Sequence, residues 1–362
     1  MVATFHTPKT RTYPDKVMYD YLLRVKDDGG ITELEKEVKD VLNDLNNNIS
    51  LTSAKSLLIP SGHKVGKVHS ILPENGSGDF IVDRNSKATM IKDGLIVTVD
   101  KNIPRINDDG SILVEGQSTN YYKNSENILS AGAGANRGTI SSNTIINPRG
   151  EVGAYTFNDS VDNNHHVLNA GILHLPIGSM VFSSVIVKKK DLDFIVLRVY
   201  DGVDDNVSGN AYQASFNLDL GVFVRAETFG GNVVQDAFYS IELIGDGWYR
   251  CTVGLKKTSL KTRTDFQIYS FNRDTAINNP IYPGTGNTGF YFWSVEVADS
   301  FSSYNPTNGT AVTRLADVIK TTPPIGTTQI IETINGIEQA PITTISVEYT
   351  MPVGRINKIR ML

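Results

Sequence analysis

The chain has 362 residues, of which 40% are hydrophobic, and this is enough apolar surface for a large buried core. The net charge of −5 argues against nucleic-acid binding as the main function, and no apolar run approaches the roughly 18 residues of a membrane span. The first residues contain no apolar secretory-signal segment. We therefore exclude wholesale disorder and expect neither nucleic-acid binding nor membrane insertion.

The N-terminal region carries the helical pattern of the chain. Apolar residues at helical spacing follow Pro14, a favourable first-turn residue, and Gly29 ends the pattern. Thr32 and Glu35 form a capping box that opens a second predicted helix. Residues 14–46 are therefore predicted to form a short helical hairpin. Its apolar stripe either packs on the next domain or docks onto a partner or another copy, and the pattern favours neither.

The next two segments are polar and rich in turns. Residues 51–125 alternate short apolar runs with Gly, Asn, Asp and Pro, which is typical of brief strands, and Asp109-Gly110 predicts a hairpin turn. Residues 126–149 are rich in Gly, Ser, Ala and Asn, and we predict that they form a linker.

The following region, residues 150–316, consists almost wholly of strand and turn patterns. Phe290 begins a run of four aromatic residues, which predicts a central strand covered on both faces. Trp248, Cys251 and Trp293 lie in strand patterns and are interpreted as core residues. The predicted strands are 152–157, 180–187, 194–200, 212–218, 222–228, 238–244, 248–255, 264–271, 289–297 and 310–314. This spacing is typical of a sandwich or jelly roll.

The last segment follows Asp317, and its TTPPIG stretch predicts an interruption of regular secondary structure. Asn335-Gly336 predicts a hairpin turn further along it. A single hairpin is too small to be stable alone, so we expect it to pack on the sandwich or on a neighbouring chain.

The predicted fold class is mainly β, a jelly-roll sandwich with a short N-terminal helical hairpin and a small C-terminal β-hairpin tail. In chain order, the predicted parts are an attachment region, a small β-rich segment, a linker, a jelly-roll domain resembling carbohydrate-binding modules, and the tail. Their bounds are 1–50, 51–125, 126–149, 150–317 and 318–362.

Several segments resemble a family of phage structural proteins. The run FIVDRNSKATMIKDGLIVTVDKNIPRIN is similar to a signature in which F-x-R-x-S-x-A-T precedes G-L-I-x-x-V-x-x-N-x-P-R. The segment LVEGQSTN resembles the family's L-L-E-P-Q-R-T-N, with Gly116 and Ser118 in place of the usual Pro and Arg. The segments VIVKKKDLDFIVLRVYD, GDGWYRCTV, GNTGFYFWSVEVADS and SYNPTNGTAVTRLAD resemble landmarks of the phage jelly-roll module. The match covers most of residues 15–317.

The ending, INGIEQAPITTISVEYTMPVGRINKI, resembles tails found in phages of gut Bacteroides-type bacteria, including crAss-like phages. The resemblance implies a virion component made in the host cytoplasm, a homotrimeric head or tail fibre or spike. It also implies attachment to capsid or tail proteins through the N-terminal region, and it makes host surface polysaccharide a candidate ligand. The alternative is a glycan-binding or glycan-cleaving tail module of the depolymerase type.

The sequence contains no motif of a known catalytic machinery, so we expect no enzyme activity and assign no catalytic residue or cofactor. His165-His166 fits a polar loop better than a metal site. Asp201, Asp204 and Asp205 loosely resemble a calcium loop, but they lack the usual spacing, so we assign no metal.

Glycan binding needs aromatic side chains on which sugar rings stack, together with polar groups that bond to hydroxyls. The loop-rich segment around residue 280 offers such groups, and we predict Tyr269, Asn272, Arg273 and Tyr282 as glycan ligands. The alternative is that Tyr282 merely stabilises a turn.

Overall fold

The structure, a computed structural model, describes residues 13–32, 54–60, 62–201, 210–229, 234–258, 263–272 and 280–362. Within these ranges it has one helix, α1 (Tyr13–Asp27). The first strands are β1 (Ile31–Thr32), β2 (Ser56–Leu58), β3 (Gly62–Lys64), β4 (Lys67–Val68), β5 (Phe80–Asp83), β6 (Ala88–Lys92), β7 (Leu95–Val99), β8 (Ile112–Val114), β9 (Ser118–Asn120), β10 (Gly134–Asn136), β11 (Gly138–Ile146), β12 (Val152–Asp159), β13 (Asn163–Asn164) and β14 (Val167–His174).

The remaining strands are β15 (Met180–Lys189), β16 (Phe194–Asp201), β17 (Asn210–Asn217), β18 (Val222–Phe229), β19 (Gln235–Gly245), β20 (Trp248–Lys256), β21 (Arg263–Phe271), β22 (Tyr282–Pro283), β23 (Gly289–Ala298), β24 (Val312–Arg314), β25 (Val318–Thr321), β26 (Ile330–Ile334), β27 (Ile337–Glu338), β28 (Tyr349–Thr350) and β29 (Gly354–Met361). The prediction of a mainly β protein is confirmed, as are all ten strands predicted between residues 150 and 316. Among the described residues, no helix has the length and apolar character needed to cross a membrane.

The chain divides into two compact units that do not follow the predicted linear order. The first, here called the terminal unit, contains the described residues of Met1–Ala88, Thr98–Gly116 and Leu315–Leu362. The second, the sandwich unit, contains Thr89–Val97 and the described residues of Gln117–Arg314. The predicted signature segment, 51–125, and the predicted tail, 318–362, are therefore not separate parts, because most of the first and all of the second belong to one unit.

The terminal unit joins strands from both ends of the chain. Its six-stranded sheet has the order β1-β3-β4-β5-β25-β28, in which Val82 lies opposite Ile319. Its five-stranded sheet has the order β2-β29-β26-β27, with β8 also paired to β29, and Leu57 lies opposite Arg360. The tail thus buries its apolar face by completing sheets begun by N-terminal strands, which a lone hairpin could not do. The predicted turn at Asn335-Gly336 is confirmed, since it joins β26 to β27 with positive φ at both residues.

Helix α1 packs inside the terminal unit. Val17, Tyr21 and Val25 are buried on its apolar stripe, in one cluster with Leu57 and Ile71. Packing within the chain therefore accounts for this stripe, as one of the two interpretations predicted. The second predicted helix lies in residues 33–53, outside the described ranges.

The sandwich unit is built from two antiparallel sheets over one apolar core. One sheet has the order β10-β14-β21-β16-β17-β18, and the other contains β11-β12-β23-β15-β20-β19. Leu197 and Phe216 from the first sheet share the core with Cys251 and Phe292 from the second. This arrangement is a β-sandwich. The finer jelly-roll topology stays a prediction.

The prediction of a linker over 126–149 is wrong. The chain there forms β10 and β11, and Ile128 is fully buried in the sandwich core. A composition rich in small polar residues does not exclude a strand, because β11 pairs with β12 through backbone hydrogen bonds that any such residue can make. Gly138 has a packing role, since a Cβ atom there would lie 2.6 Å from the Phe157 ring.

Both tryptophans are core residues, as predicted. Trp248 and Trp293 are each 2% exposed and lie in one cluster with Tyr304, on the sheet face opposite the main core. On β23, Phe290 and Phe292 face the main core, while Trp293 faces the other side. The aromatic run therefore covers both faces of a central strand, flanked by β12 and β15.

Four charged residues from the phage-like segments meet inside the terminal unit. Arg84 Nη1 donates to Asp317 Oδ1 at 2.8 Å, and Arg105 Nη1 donates to Glu115 Oε2 at 2.6 Å. Arg105 Nη2 donates to the other Asp317 oxygen. Both arginines are buried. The network ties together the three stretches of chain that form the terminal unit, so these motif residues have a structural role.

The two guanidinium groups respond differently to this environment. Burial lowers the pKa of Arg84, and its bond to Asp317 offsets that effect only in part. Burial acts on Arg105 in the same direction, but the charges of Glu115 and Asp317 outweigh it and raise the pKa. The difference follows from geometry, because Arg105 bonds two carboxylates and Arg84 bonds one.

Candidate functional site

The candidate site is a row of polar side chains across the six-stranded sheet of the sandwich unit, here called the polar row. The strand registers place Asn169, Gln267, Arg198, Gln213 and Glu227 directly opposite one another on β14, β21, β16, β17 and β18. The neighbours of these residues along β16, β17 and β21 point into the core. Because side chains alternate along a strand, the polar row lies on the sheet face away from the core.

A chain of hydrogen bonds links the polar row to Tyr269. Arg198 Nε donates to Gln213 Oε1 at 2.7 Å, and Arg198 Nη1 donates to the Tyr269 hydroxyl at 2.9 Å. The Tyr269 hydroxyl donates to Gln267 Oε1, and Gln267 Nε2 donates to Asn169 Oδ1 at 3.2 Å. Arg198 donates toward β17 on one side and toward β21 on the other, and the bonds continue from β21 to β14. They span four strands and fix the orientation of each group.

Tyr269 is the aromatic centre of this surface. The Arg198 guanidinium carbon lies 4.7 Å from the centre of its ring, and the His165 ring packs edge-on at 6.0 Å. Burial raises the pKa of Tyr269 well above its ordinary value of 10.0, so the phenol remains a hydrogen-bond donor. Arg198 covers part of the ring, which limits the area left for stacking a ligand.

Two polar atoms on the same face have no hydrogen-bond partner in the part of the chain that the structure describes. They are Ser215 Oγ, on a side chain 1% exposed, and Glu227 Oε2, whose partner oxygen Oε1 is held by Arg225 at 2.8 Å. A buried polar atom without a partner costs about 1–3 kcal/mol. A carboxylate oxygen accepts only, so a ligand group that satisfied Glu227 would have to be an O–H or N–H donor.

The structure places the four predicted glycan residues differently from the expected exposed loop. Tyr269 lies within β21 and is 5% exposed, and Tyr282 lies in β22 and is 2% exposed. Asn272 is exposed in a bend after β21, whereas Arg273 lies outside the described residues. Tyr269 therefore lies in the strand predicted over 264–271, and the expectation of an exposed loop is wrong for Tyr282.

Tyr282 is held firmly in the protein. Its hydroxyl shares a 2.8 Å hydrogen bond with Ser270 Oγ, and its ring centre lies 4.6 Å from that of His166. It belongs with Tyr269 to a small apolar cluster that includes Phe271. The short β13–β22 pairing, with Asn164 opposite Tyr282, fixes it there, and its strong burial fits the alternative interpretation of a structural role.

Asp201 and His166, which the sequence analysis considered as metal ligands, make contacts with other protein groups. Asp201 accepts hydrogen bonds from the Thr258 backbone and hydroxyl, and Lys257 Nζ lies 3.6 Å from it. Asp204 and Asp205 lie outside the described residues. His166 is buried, with Nδ1 at 2.8 Å from the Arg137 carbonyl oxygen. In the part of the chain that the structure describes, no three His, Cys, Asp or Glu side chains are grouped to hold a metal ion.

The sequence analysis did not single out the polar row. The sequence feature that marks a member of the polar row is a single polar residue inside an otherwise apolar strand pattern. Arg198 in FIVLRVYD and Gln213 in AYQASF are examples. Each instance alone is ordinary. Only the registers show that these residues form one line.

The fold is that of a β-sandwich protein with a row of polar side chains on one outer sheet face. No model of a known protein family matches this sequence, and no curated protein matches it.

Proposed function

We propose that the chain is a structural component of a phage virion, a homotrimeric head or tail fibre or spike, and that its β-sandwich binds host surface glycans through the polar row. The virion part rests on the sequence resemblance. The adhesion part rests on one observation. Ser215 Oγ and Glu227 Oε2 have no partner among the described residues, and they lie beside a hydrogen-bonded chain of amide, phenol and guanidinium groups.

The chemistry of the polar row fits a polyhydroxylated ligand. Sugar hydroxyls both donate and accept, so they can bond the acceptor Glu227 and the amides of Asn169 and Gln267. The row crosses five strands, and four spacings of about 4.8 Å give a length of roughly 19 Å, enough for several sugar rings in line. Asn169, Gln267 and Glu227 are partly exposed, so a ligand can reach them.

The buried Arg84–Asp317–Arg105–Glu115 network supports the family proposal in a limited way. The four residues come from different resembling segments, and their hydrogen bonds connect those segments within the terminal unit. A protein that shares these motifs would therefore be expected to share the terminal unit.

Glu227→Gln and Ser215→Ala test the adhesion proposal. The probe is an array of bacterial surface polysaccharides, read with the full chain. Each variant should bind about tenfold or more weakly, the usual size of a lost hydrogen bond to a charged group or a buried partner. Ser183→Ala is the matched control. Ser183 Oγ is also buried without a partner among the described residues, but it lies on β15 of the other sheet.

The outcomes separate the parts of the proposal. A wild-type chain that binds no polysaccharide at millimolar concentration contradicts adhesion, and release of new sugar ends would favour the glycan-cleaving alternative. Light scattering should give three chain masses, and a persistent monomer would contradict the trimer. Antibody labelling of particles tests the virion assignment.

A further inference from the structure

A lysine and an aspartate from opposite sheets of the sandwich unit meet at one end of its core. On β20, every second residue from Cys251 onward faces the core, and Lys257 is next in that series, directly after the strand. On β16, every second residue from Ile195 onward faces the core, and Asp201 is next, as the last residue of the strand. Because side chains alternate along a strand, both groups point into the space between the sheets.

Both groups are withdrawn from solvent. The side chain of Lys257 is 0% exposed and that of Asp201 is 4% exposed, and Lys257 Nζ lies 3.6 Å from Asp201 Oδ1. An ammonium group has three N–H donors, but Lys257 Nζ makes no hydrogen bond to any described residue. A buried charge that lacks hydrogen bonds is costly, so two separate ions are an unfavourable state for this pair.

Backbone contacts hold the two groups beside each other. The Thr258 N–H donates to both Asp201 carboxylate oxygens, at 3.0 and 2.9 Å, and the Thr258 hydroxyl donates to Oδ2 at 2.6 Å. Lys257 is anchored separately, because its N–H donates to the Ser179 carbonyl oxygen at 2.8 Å. Two groups held in this way react as if they were at very high concentration.

We propose that Lys257 and Asp201 condense to an amide, an isopeptide bond that joins the two sheets of the sandwich covalently. A bond forms between Lys257 Nζ and Asp201 Cγ, and one Cγ–O bond breaks. The departing oxygen takes two protons from the ammonium group and leaves as water, so the reaction needs no other reactant. The chain has a single cysteine and can form no internal disulfide, and this inference stands apart from the proposed function.

The surroundings of the pair favour each stage of the condensation. Burial lowers the pKa of Lys257, against the opposing effect of the Asp201 charge, and so favours the neutral amine that acts as the nucleophile. The N–H and hydroxyl of Thr258 are placed to stabilise negative charge that develops on the carboxyl oxygen. The amide product is neutral, so the cost of burying two ions is removed.

The mass of the intact, denatured full chain tests the proposal. Wild-type protein with native tryptophan fluorescence should be lighter than its sequence mass by one water molecule. Lys257→Arg and Asp201→Ala should each restore the full mass expected for the variant. Lys256→Arg is the matched control, because this neighbouring lysine is 41% exposed and should leave the water loss unchanged. A folded wild-type chain at its full sequence mass overturns the proposal.

Peptide mapping of the wild-type chain gives an independent readout if Lys257→Arg fails to fold. A tryptic digest should contain one branched species that joins the peptide of Asp201 to the peptide of Lys257, with no cleavage after Lys257. The sequence Asp201-Gly202 could also lose water by cyclising onto its own backbone. That product contains no branched peptide and survives Lys257→Arg, so finding it instead of the branched species overturns the proposal.

Discussion

Asp317 and Glu115 are 202 residues apart in the chain but hydrogen-bond each other twice. The Asp317 carboxylate accepts the Glu115 backbone N–H at 2.9 Å, and the Asp317 N–H donates to the Glu115 carbonyl at 2.9 Å. Nearly the whole sandwich unit, from Gln117 to Arg314, lies between them in sequence. The Asp317 carboxylate therefore connects the two places where the chain crosses between the units in sequence, near Glu115 and near Asp317 itself.

Asp317→Asn should destabilise the terminal unit by about 3–5 kcal/mol, since it leaves the buried Arg84 and Arg105 without the charge they share. Hydrogen exchange in the terminal unit during urea unfolding measures the loss. Trp248 and Trp293 both belong to the sandwich unit, so their fluorescence reports that unit separately.

Asp246→Asn is the control for the Asp317 experiment. Asp246 pairs with Lys188 on the surface of the sandwich unit, and its side chain is 86% exposed. Its replacement should change stability by about 0.5 kcal/mol or less. Equal effects of the two substitutions would contradict the role assigned to Asp317.

Tyr282→Ala should now cost about as much as Trp248→Ala, roughly 3–5 kcal/mol, because both rings are 2% exposed. A tyrosine in an exposed loop would show a far smaller effect, about 0.5 kcal/mol or less. Tyr282→Phe keeps the ring and removes only the bond to Ser270, so it should cost about 1 kcal/mol. Denaturant unfolding followed by tryptophan fluorescence checks all three values, and a stable Tyr282→Ala protein would contradict the assigned packing.

Acid should release α1 from the terminal unit. Hydrogen bonds from Lys64 and Lys67 lower the pKa of Asp28 from 3.8 to about 2. Burial alone would raise the pKa of Asp79, but bonds from His69 and Arg24 outweigh it and lower the pKa. Carboxyls with a lowered pKa stabilise the fold above the ordinary value, and this stability is lost as pH falls from about 4 toward about 2.

Amide exchange of α1 over that acid range measures the release. Asp28→Asn should remove much of the dependence, while Asp27→Asn, one residue earlier and exposed, should leave it in place. Protection that stays constant down to about pH 2 would argue against these ion pairs as the attachment of α1.

Cys251 should not react with thiol reagents in the native protein. Burial raises the pKa of its thiol well above the ordinary value, and the side chain lies fully within the sandwich core. Labelling in native buffer and in urea should show modification only when the sandwich unfolds. Rapid labelling of a protein with native tryptophan fluorescence would place this thiol outside the core.

Local patterns along the chain were sufficient to predict much of the fold. Short strand patterns predict β16 and β20, helical spacing predicts α1, and Asn335-Gly336 predicts its turn. These features depend on neighbours a few residues away, so they can be read without tertiary structure. The burial of Trp248 follows in the same way from its position at the start of an alternating strand.

By itself, the sequence determined that this chain is a disulfide-free, mainly β protein with an N-terminal helix and a tryptophan-containing core. The tertiary structure alone decided that β5 pairs with β25, that Tyr282 is buried, and that Arg198 and Gln213 stand side by side. The reason is physical. Strand pairing and register depend on contacts between residues far apart in the chain, and a shift of one residue would turn the whole polar row toward the core.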